Sequence, residues 1–296
     1  MIDFIRIRFN NKELLETDLR DETKFKLITQ LNYHDNEIIY PHKTNLENLE
    51  IIITEYAITI KNSLHKFYNI KNKNGNQNYT DFTYSNLRSV IKILNKNIVD
   101  LENAIITQIE FGINITTPKK ASHYVKNNII MHKYSPHNHS LNFKGKGEYK
   151  QFDYSNYYIK VYDKGKQYNL DENILRFEVK YIKKIEFNKI GVTTINDLLN
   201  KQYLRLFFTN LLKRFDELTI IDDFYNNSKL NKEDIKKIES FTNYIQWAHL
   251  KTRVKRNLLS KRKKEFKNIL IERNLLTTKS TLRNLLINKF NYLIEH

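Results

Sequence analysis

Between residues 105 and 181, apolar and polar side chains alternate with a period of two, and this pattern narrows the fold more than any other feature of the sequence. In Ile105 to Ile115, Ile109, Phe111 and Ile113 share one parity, while Gln108, Glu110, Gly112 and Asn114 share the other. Around 140–144, Leu141 and Phe143 oppose Asn142 and Lys144. In 157–163, Ile159 and Val161 oppose Tyr158, Lys160 and Tyr162, with Lys164 continuing the polar parity. In 174–181, Leu175, Phe177 and Val179 oppose Arg176, Glu178 and Lys180. Successive strand side chains point to opposite faces, so these segments predict an antiparallel sheet with one apolar face under helices and one polar face.

The chain before this block has a similar texture. Residues 2–9 read as a strand, with Ile2, Phe4, Arg6 and Arg8 on one parity and Ile5, Ile7 and Phe9 on the other. Ile38 to Tyr40, Leu49 to Thr54 and Tyr56 to Ile60 read as further short strands. The polar stretch Lys71 to Asn78 turns at Gly75. A helix follows, with Ser85 as its expected N-cap and Leu87, Val90, Ile91 and Leu94 at helical spacing. Thr117-Pro118 is expected to open another helix that runs to about Ile130. From about 193 onward helical periodicity prevails, with no Pro and many Lys and Arg, as in Ile195, Leu198, Leu199 and Tyr203, then Leu282, Leu285 and Leu286.

The expected fold class is therefore α+β: antiparallel sheets with helices packed on one face, built from two β-rich blocks that a duplication could have produced, followed by an all-helical C-terminal region. The expected domains are 1–190, with sub-blocks 1–100 and 101–190, and a helical, basic 191–296. A chain of 296 residues has room for this at ~150 residues per domain.

Charge bears on function. Fifty Lys and Arg oppose 33 Asp and Glu, a net charge of +17. That excess suits a polyanion, because each neutralised phosphate releases counterions. A Lys-, Asn-, Ile- and Tyr-rich composition of an AT-rich genome is the alternative origin. The chain has no Cys, which excludes disulfides, Cys-ligated zinc and iron–sulfur clusters. No apolar run approaches the ~20 residues that cross a bilayer. Met1 to Ile5 lacks the basic region and apolar stretch of a signal peptide, so the expected location is the cytoplasm, without a membrane partner.

A polar sheet face can be no more than a solvated face. This one, however, carries what phosphodiester cleavage needs. Glu110 and Glu178 offer hard oxygen ligands for Mg²⁺ or Mn²⁺, which would polarise a phosphate. A tyrosine hydroxyl becomes a usable nucleophile where a metal or cation stabilises its phenolate. Lys and Arg would stabilise charge on phosphate oxygens.

The run Tyr157-Tyr158-Ile159-Lys160-Val161-Tyr162-Asp163-Lys164-Gly165-Lys166, followed by Leu175-Arg176-Phe177-Glu178-Val179-Lys180, resembles the Tyr-Asp-Lys and Arg-x-Glu region of rolling-circle replication initiators. Plasmid replication initiation factors and phage gene II/X replication proteins are the two groups concerned. Gln108 to Asn114 is similar to their acidic first strand. Lys61 to Phe67 with Asn78 to Phe82 resembles a Gly-Ser-Leu-x-Lys-Phe and Asn segment of the phage-type members. The resemblance covers about residues 1–185 and resides in the order and spacing of short motifs. It implies a nickase whose tyrosine attacks origin DNA, stays on the 5′ phosphate and frees a 3′ hydroxyl, with a divalent metal as cofactor. It further implies single-stranded or hairpin origin DNA as substrate and a host helicase and polymerase as partners. Carried onto this chain, Tyr162 is the leading nucleophile and Tyr158 the fallback. Glu110 and Glu178 are the metal ligands. Lys164 and Arg176 belong to the catalytic set, and Lys160 and Lys166 are further phosphate contacts; Lys144 and Lys180, from the polar parity of their strands, are added as candidate DNA contacts. Gln108 and Asn62 depart from the family pattern, which often has an Arg–Asp strand and a Gly there. His137-Asn138-His139 has the spacing of a metal pair but a polar centre beside Pro136, and reads as loop; His65 and His132 read as structural.

The helical third carries a basic run that includes Lys251, Arg253, Lys261, Arg262, Lys263 and Lys264. The last four are the candidate DNA contacts there, against the plainer reading of a solvated face. Segments near 231–250 and 278–294 could form a helix-turn-helix; a bundle that buttresses the sheet or joins a homodimer is the other reading. Two further functions stay open: a non-catalytic origin-binding or regulatory protein, and an RNA-binding sheet that stacks bases on tyrosine.

Overall fold

The structure is a computed structural model that describes residues 1–9 and 11–296. The first half comprises β1 (Ile2–Phe9), α1 (Lys12–Leu19), β2 (Ile28–Asn32), β3 (Glu37–Leu46), β4 (Leu49–Ile53), β5 (Ile58–Ser63), α2 (Leu64–Lys71) and α3 (Tyr84–Asn97). The second comprises β6 (Ile105–Thr116), α4 (Ala121–His123), β7 (Ile129–His132), β8 (Tyr149–Asp153), β9 (Tyr157–Asp163), α5 (Lys164–Gln167) and β10 (Ile174–Tyr181). Then follow α6 (Ile185–Asn188), α7 (Lys201–Asp216), β11 (Leu218–Ile220), α8 (Lys232–Thr242), α9 (Tyr244–Arg253), α10 (Arg256–Glu272) and α11 (Thr277–Glu295).

The two blocks merge into one nine-stranded sheet, ordered β2-β3-β4-β5-β1-β6-β10-β9-β8. Its strand pairs are antiparallel. The two halves wind alike. Each starts at the centre, with β1 or β6, and places its last strand beside its first, so that β5 flanks β1 and β10 flanks β6. The fold is thus α+β, with β6, β9 and β10 where alternation placed them.

Helices α7 and α11 pack on the apolar face. Phe207 stacks on Phe111 with centroids 5.6 Å apart, Phe290 lies 6.3 Å from Phe111, and Phe215 meets Phe177 edge-on at 5.4 Å. Leu282, Leu286, Phe290 and Leu293 of α11 are buried in the same core. The apolar core therefore runs on past residue 190. A second cluster gathers Trp247, Phe241, Phe266, Ile238 and Leu270 from α8, α9 and α10 with Met131 of β7. No helix among the described residues is long and apolar enough to cross a membrane.

Several local expectations need correction. The N-cap of α3 is Thr83, which accepts from Asn86 N at 3.3 Å, and not Ser85. The helix expected from 117 to 130 shrinks to α4 and one wide turn, because Ile129 to His132 pair with β11 instead. Asn128 donates to Ile221 O at 2.8 Å and locks that exchange. Residues 140–144 form no strand: Lys146 N donates to Phe143 O at 2.8 Å in a turn, and the edge strand is β8, which sends Phe152 into the core. The helix expected over 231–250 breaks at Asn243, whose side chain caps α9 by accepting from Ile245 N at 3.0 Å. The helix expected at 278–294 exists as α11, but its apolar face is committed to the sheet.

Candidate active site on the polar sheet face

Register sets the side chains of the polar face in rows. Asn114, Arg176, Tyr162 and Tyr149 form one row across β6, β10, β9 and β8. Gly112, Glu178, Lys160 and Gln151 form the next, and Glu110, Lys180, Tyr158 and Asp153 the third. The middle row needs its glycine: a Cβ at Gly112 would lie 2.5 Å from the Cβ of Glu178 and 2.8 Å from Arg176 Nη2.

One acidic group that the parity pattern concealed joins these rows. A register shift in β1 between Ile2 and Ile5 interrupts alternation against β6. Ile2 and Ile5 are both buried in the core, three residues apart, and Asp3 between them reaches the polar face. Asp3, Glu110 and Glu178 each offer a carboxylate oxygen, and these lie within 4.8 Å of one another. All three residues are buried.

Buried charges require partners, and the triad has them. Lys160 Nζ donates to Glu110 Oε2 at 3.0 Å and to Glu178 Oε1 at 2.8 Å. Arg176 donates through Nε to Glu178 Oε2, through Nη1 to Asn114 Oδ1 at 2.9 Å and through Nη2 to Asp3 Oδ2 at 3.3 Å. Asp3 also accepts from Ser63 Oγ and, at 2.6 Å, from Asn78 Nδ2. Asn78 Oδ1 in turn accepts from Lys164 Nζ and Tyr168 OH, both at 2.6 Å. Tyr162 OH donates to Glu178 Oε2 at 3.4 Å.

Burial and the charge of Glu178 push the Glu110 carboxyl up to about 7, against the pull of Lys160. Burial would raise Glu178 too, but Lys160 and Arg176 outweigh it and hold that carboxyl well below its usual range. Asp3 is likewise lowered: burial opposes, and Arg176 and Lys164 prevail. Burial and Glu178 push the Tyr162 phenol far above its ordinary value, so it is neutral. Burial and the neighbouring Arg176 bring Lys164 down to about 8. Three hard oxygens suit a divalent cation such as Mg²⁺ or Mn²⁺. The Lys160 ammonium bridges Glu110 and Glu178, and an ion bound between them would displace it.

Of the residues singled out in the sequence, the structure brings Glu110, Glu178, Tyr162, Lys160, Lys164 and Arg176 together. Lys180 stands at the edge, 3.8 Å from Glu110 Oε2 and over the Phe4 ring at 4.0 Å. Tyr158 shares the face, half-buried, two residues along β9 from Lys160. Lys166 is exposed on α5. Lys144 is exposed in the turn before β8 and is not a sheet residue, because the strand it was assigned to does not form. Lys261, Arg262, Lys263 and Lys264 belong to α10 instead. His137 and His139 lie with ring centroids 4.1 Å apart and planes tilted by 55°, outside the carboxylate cluster. His65 bonds Thr80 Oγ1 at 3.2 Å, and His132 bonds Arg214 O at 3.2 Å.

Asp3, Asn78, Tyr149 and Gln151 escaped the sequence reading of the site. An acidic residue between Ile2 and Phe4 at the start of a strand was the one available signal for Asp3. Tyr149 and Gln151 were hidden because the edge strand was placed some nine residues too early.

No protein-family profile matches the chain, and no curated protein matches it. A solved structure to which it is similar is that of a rolling circle replication initiator protein from Geobacillus stearothermophilus, 13% identical, with a TM-score of 0.42 and coverage of 77% of this chain and 88% of that one.

Proposed function

We propose that the polar face is the active site of a metal-dependent DNA nickase that initiates rolling-circle replication, with Tyr162 as nucleophile. The observation that carries this reading is the hydroxyl of Tyr162 within 3.4 Å of Glu178 Oε2, at the edge of three carboxylates whose oxygens lie within 4.8 Å of one another. Tyr162 Oη would attack phosphorus, the bond from phosphorus to the 3′ oxygen would break, the 5′ phosphate would remain on the tyrosine, and the proton given up by the phenol would be balanced by the one gained by the departing 3′ oxygen as it becomes a hydroxyl. Glu178 Oε2 accepts the hydrogen bond of the phenol and orients its oxygen. Asp3, Glu110 and Glu178 would hold a divalent cation, which supplies Lewis-acid polarisation of a phosphate oxygen. Lys160, once displaced from the two carboxylates, and Lys164 would stabilise charge on the phosphate. Lys166 and the exposed cations of α10 would hold flanking DNA, and α8, α9 and α10 with their own apolar cluster would form an accessory DNA-binding unit beside the sheet.

One observation favours a non-catalytic origin-binding protein instead. Lys160 and Arg176 already neutralise Glu110 and Glu178 by direct ion pairs, so the face is charge-balanced without a metal. A nicking assay separates the two. Supercoiled and single-stranded DNA carrying the chain's own coding region is incubated with Mn²⁺ or Mg²⁺. The nickase reading expects a metal-dependent nick that disappears in Glu110→Gln and Glu178→Gln. Tight binding with no cleavage under either metal would leave the origin-binding reading.

A further inference from the structure

The segment between β7 and β8 brings an aromatic pair to the nucleophile. Tyr149 opens β8 directly opposite Tyr162, so their side chains share the polar face. Phe143 stacks on Tyr149 with centroids 4.0 Å apart and 20° between planes, and meets Tyr162 edge-on at 5.3 Å. Tyr149 OH donates to Gln151 Oε1, which fixes the ring.

The segment is seated firmly. Gly147, at φ +92°, packs so close to α5 that a Cβ would lie 2.8 Å from the Cβ of Lys166 and 3.1 Å from that of Asp163. Only glycine allows both the left-handed backbone and this approach. Lys144 and Lys146 are exposed on the same segment, and Lys166 is exposed where the segment meets α5. The apolar core takes Phe152 from β8 but leaves Phe143 and Tyr149 half-exposed on the segment that carries Lys144 and Lys146. Aromatic faces interleaved with cations are the composition that holds an unstacked nucleobase and its flanking phosphates.

Resting on the nickase reading of this face, we propose that Phe143 and Tyr149 form a stacking subsite for one unpaired nucleobase beside the phosphate presented to Tyr162. A base within a duplex is already stacked on both sides and cannot enter. The subsite therefore selects a strand that is single where it crosses β8.

The test compares equilibrium binding of the full chain to an oligothymidylate and to an abasic phosphodiester strand of equal length and charge. The wild type is expected to prefer the thymidylate about fivefold or more, the lower bound for one base–aromatic stack. Phe143→Leu is expected to lose that preference without weakening on the abasic strand, and Phe143→Trp to keep it. Equal binding of both strands by the wild type would overturn the proposal. So would a preference that survives in Phe143→Leu, or a loss of affinity shared by both strands. A preference that depends on Phe143 but is accompanied by no tyrosyl adduct would keep the subsite and defeat the nickase reading; an adduct without the preference would do the reverse.

Discussion

Gly112 and Glu178 are register partners on β6 and β10, and the space left by the missing side chain of the glycine is where Glu178 and the Arg176 guanidinium sit. Gly112→Ala is expected to force both groups aside at a cost of about 1–3 kcal/mol, the range for overpacked sites. Because it moves a candidate ligand, it should also weaken Mn²⁺ binding tenfold or more, as read by calorimetric titration. Affinity equal to the wild type would show that the carboxylate set does not depend on this space.

Acid stability should divide between groups of opposite sign. Burial lowers His65 to about 3 and His132 to about 4, so both are neutral in the folded chain. The unfolded chain protonates them below about 6.5, and stability is lost as pH falls through that window. Glu110 acts in the other direction. Raised by burial to about 7 from an ordinary 4.5, it takes up a proton on folding within that window, so its contribution falls as pH rises. Urea unfolding between pH 7 and 4.5 should show a flatter acid loss in His65→Gln and a steeper one in Glu110→Gln. Curves parallel to the wild type would contradict the assignment.

Trp247 is 1% exposed, donates to Phe241 O at 2.6 Å and packs on Tyr134 with centroids 4.4 Å apart. Trp247→Ala removes the centre of the smaller apolar cluster and should cost about 3–5 kcal/mol. Hydrogen exchange is expected to show protection lost from α8, α9 and α10 and kept in β6, β9 and β10. Uniform loss across the chain would mean that the two clusters unfold as one.

The four candidate cations of α10 are not equivalent. Arg262 pairs with Glu265 at 2.9 Å, and Lys263 lies over the Tyr134 ring at 5.0 Å. Lys261 and Lys264 are exposed. Replacing Lys261 and Lys264 with Gln should reduce the slope of log K against log salt on B-DNA by about 0.9 for each lost phosphate contact. Replacing Arg262 and Lys263 should change it less. An unchanged slope in the first variant would make the helix a solvated face.

What the sequence revealed, and what it hid, follows from how local each signal is. Strands β6, β9 and β10 are legible because one face of each is buried and the other polar, and that split placed Glu110, Glu178, Lys160 and Tyr162 on one surface. Asp3 was hidden because a bulge in β1 reverses parity at the one residue that matters, which no count of alternation detects. The segment Ser140 to Lys144 imitated a strand over too few residues, while two glycines at φ +73° and +92° took the chain through a turn instead. The merging of two blocks into one sheet, and the burial of α11 against it, depend on contacts more than a hundred residues apart, such as Phe111 with Phe290.

The most direct test of the central claim is to identify the residue that carries DNA after nicking. The reaction with Mn²⁺ is quenched, digested with nuclease and trypsin, and the nucleotide-bearing peptide is identified by mass spectrometry. Trypsin cleaves after Lys160 and Lys164, which places Tyr162 and Tyr158 on different peptides. A nucleotide on the peptide from Val161 to Lys164 is the predicted result. A nucleotide on any other peptide, or cleaved DNA with no adduct at all, would contradict the assignment of Tyr162 as the nucleophile.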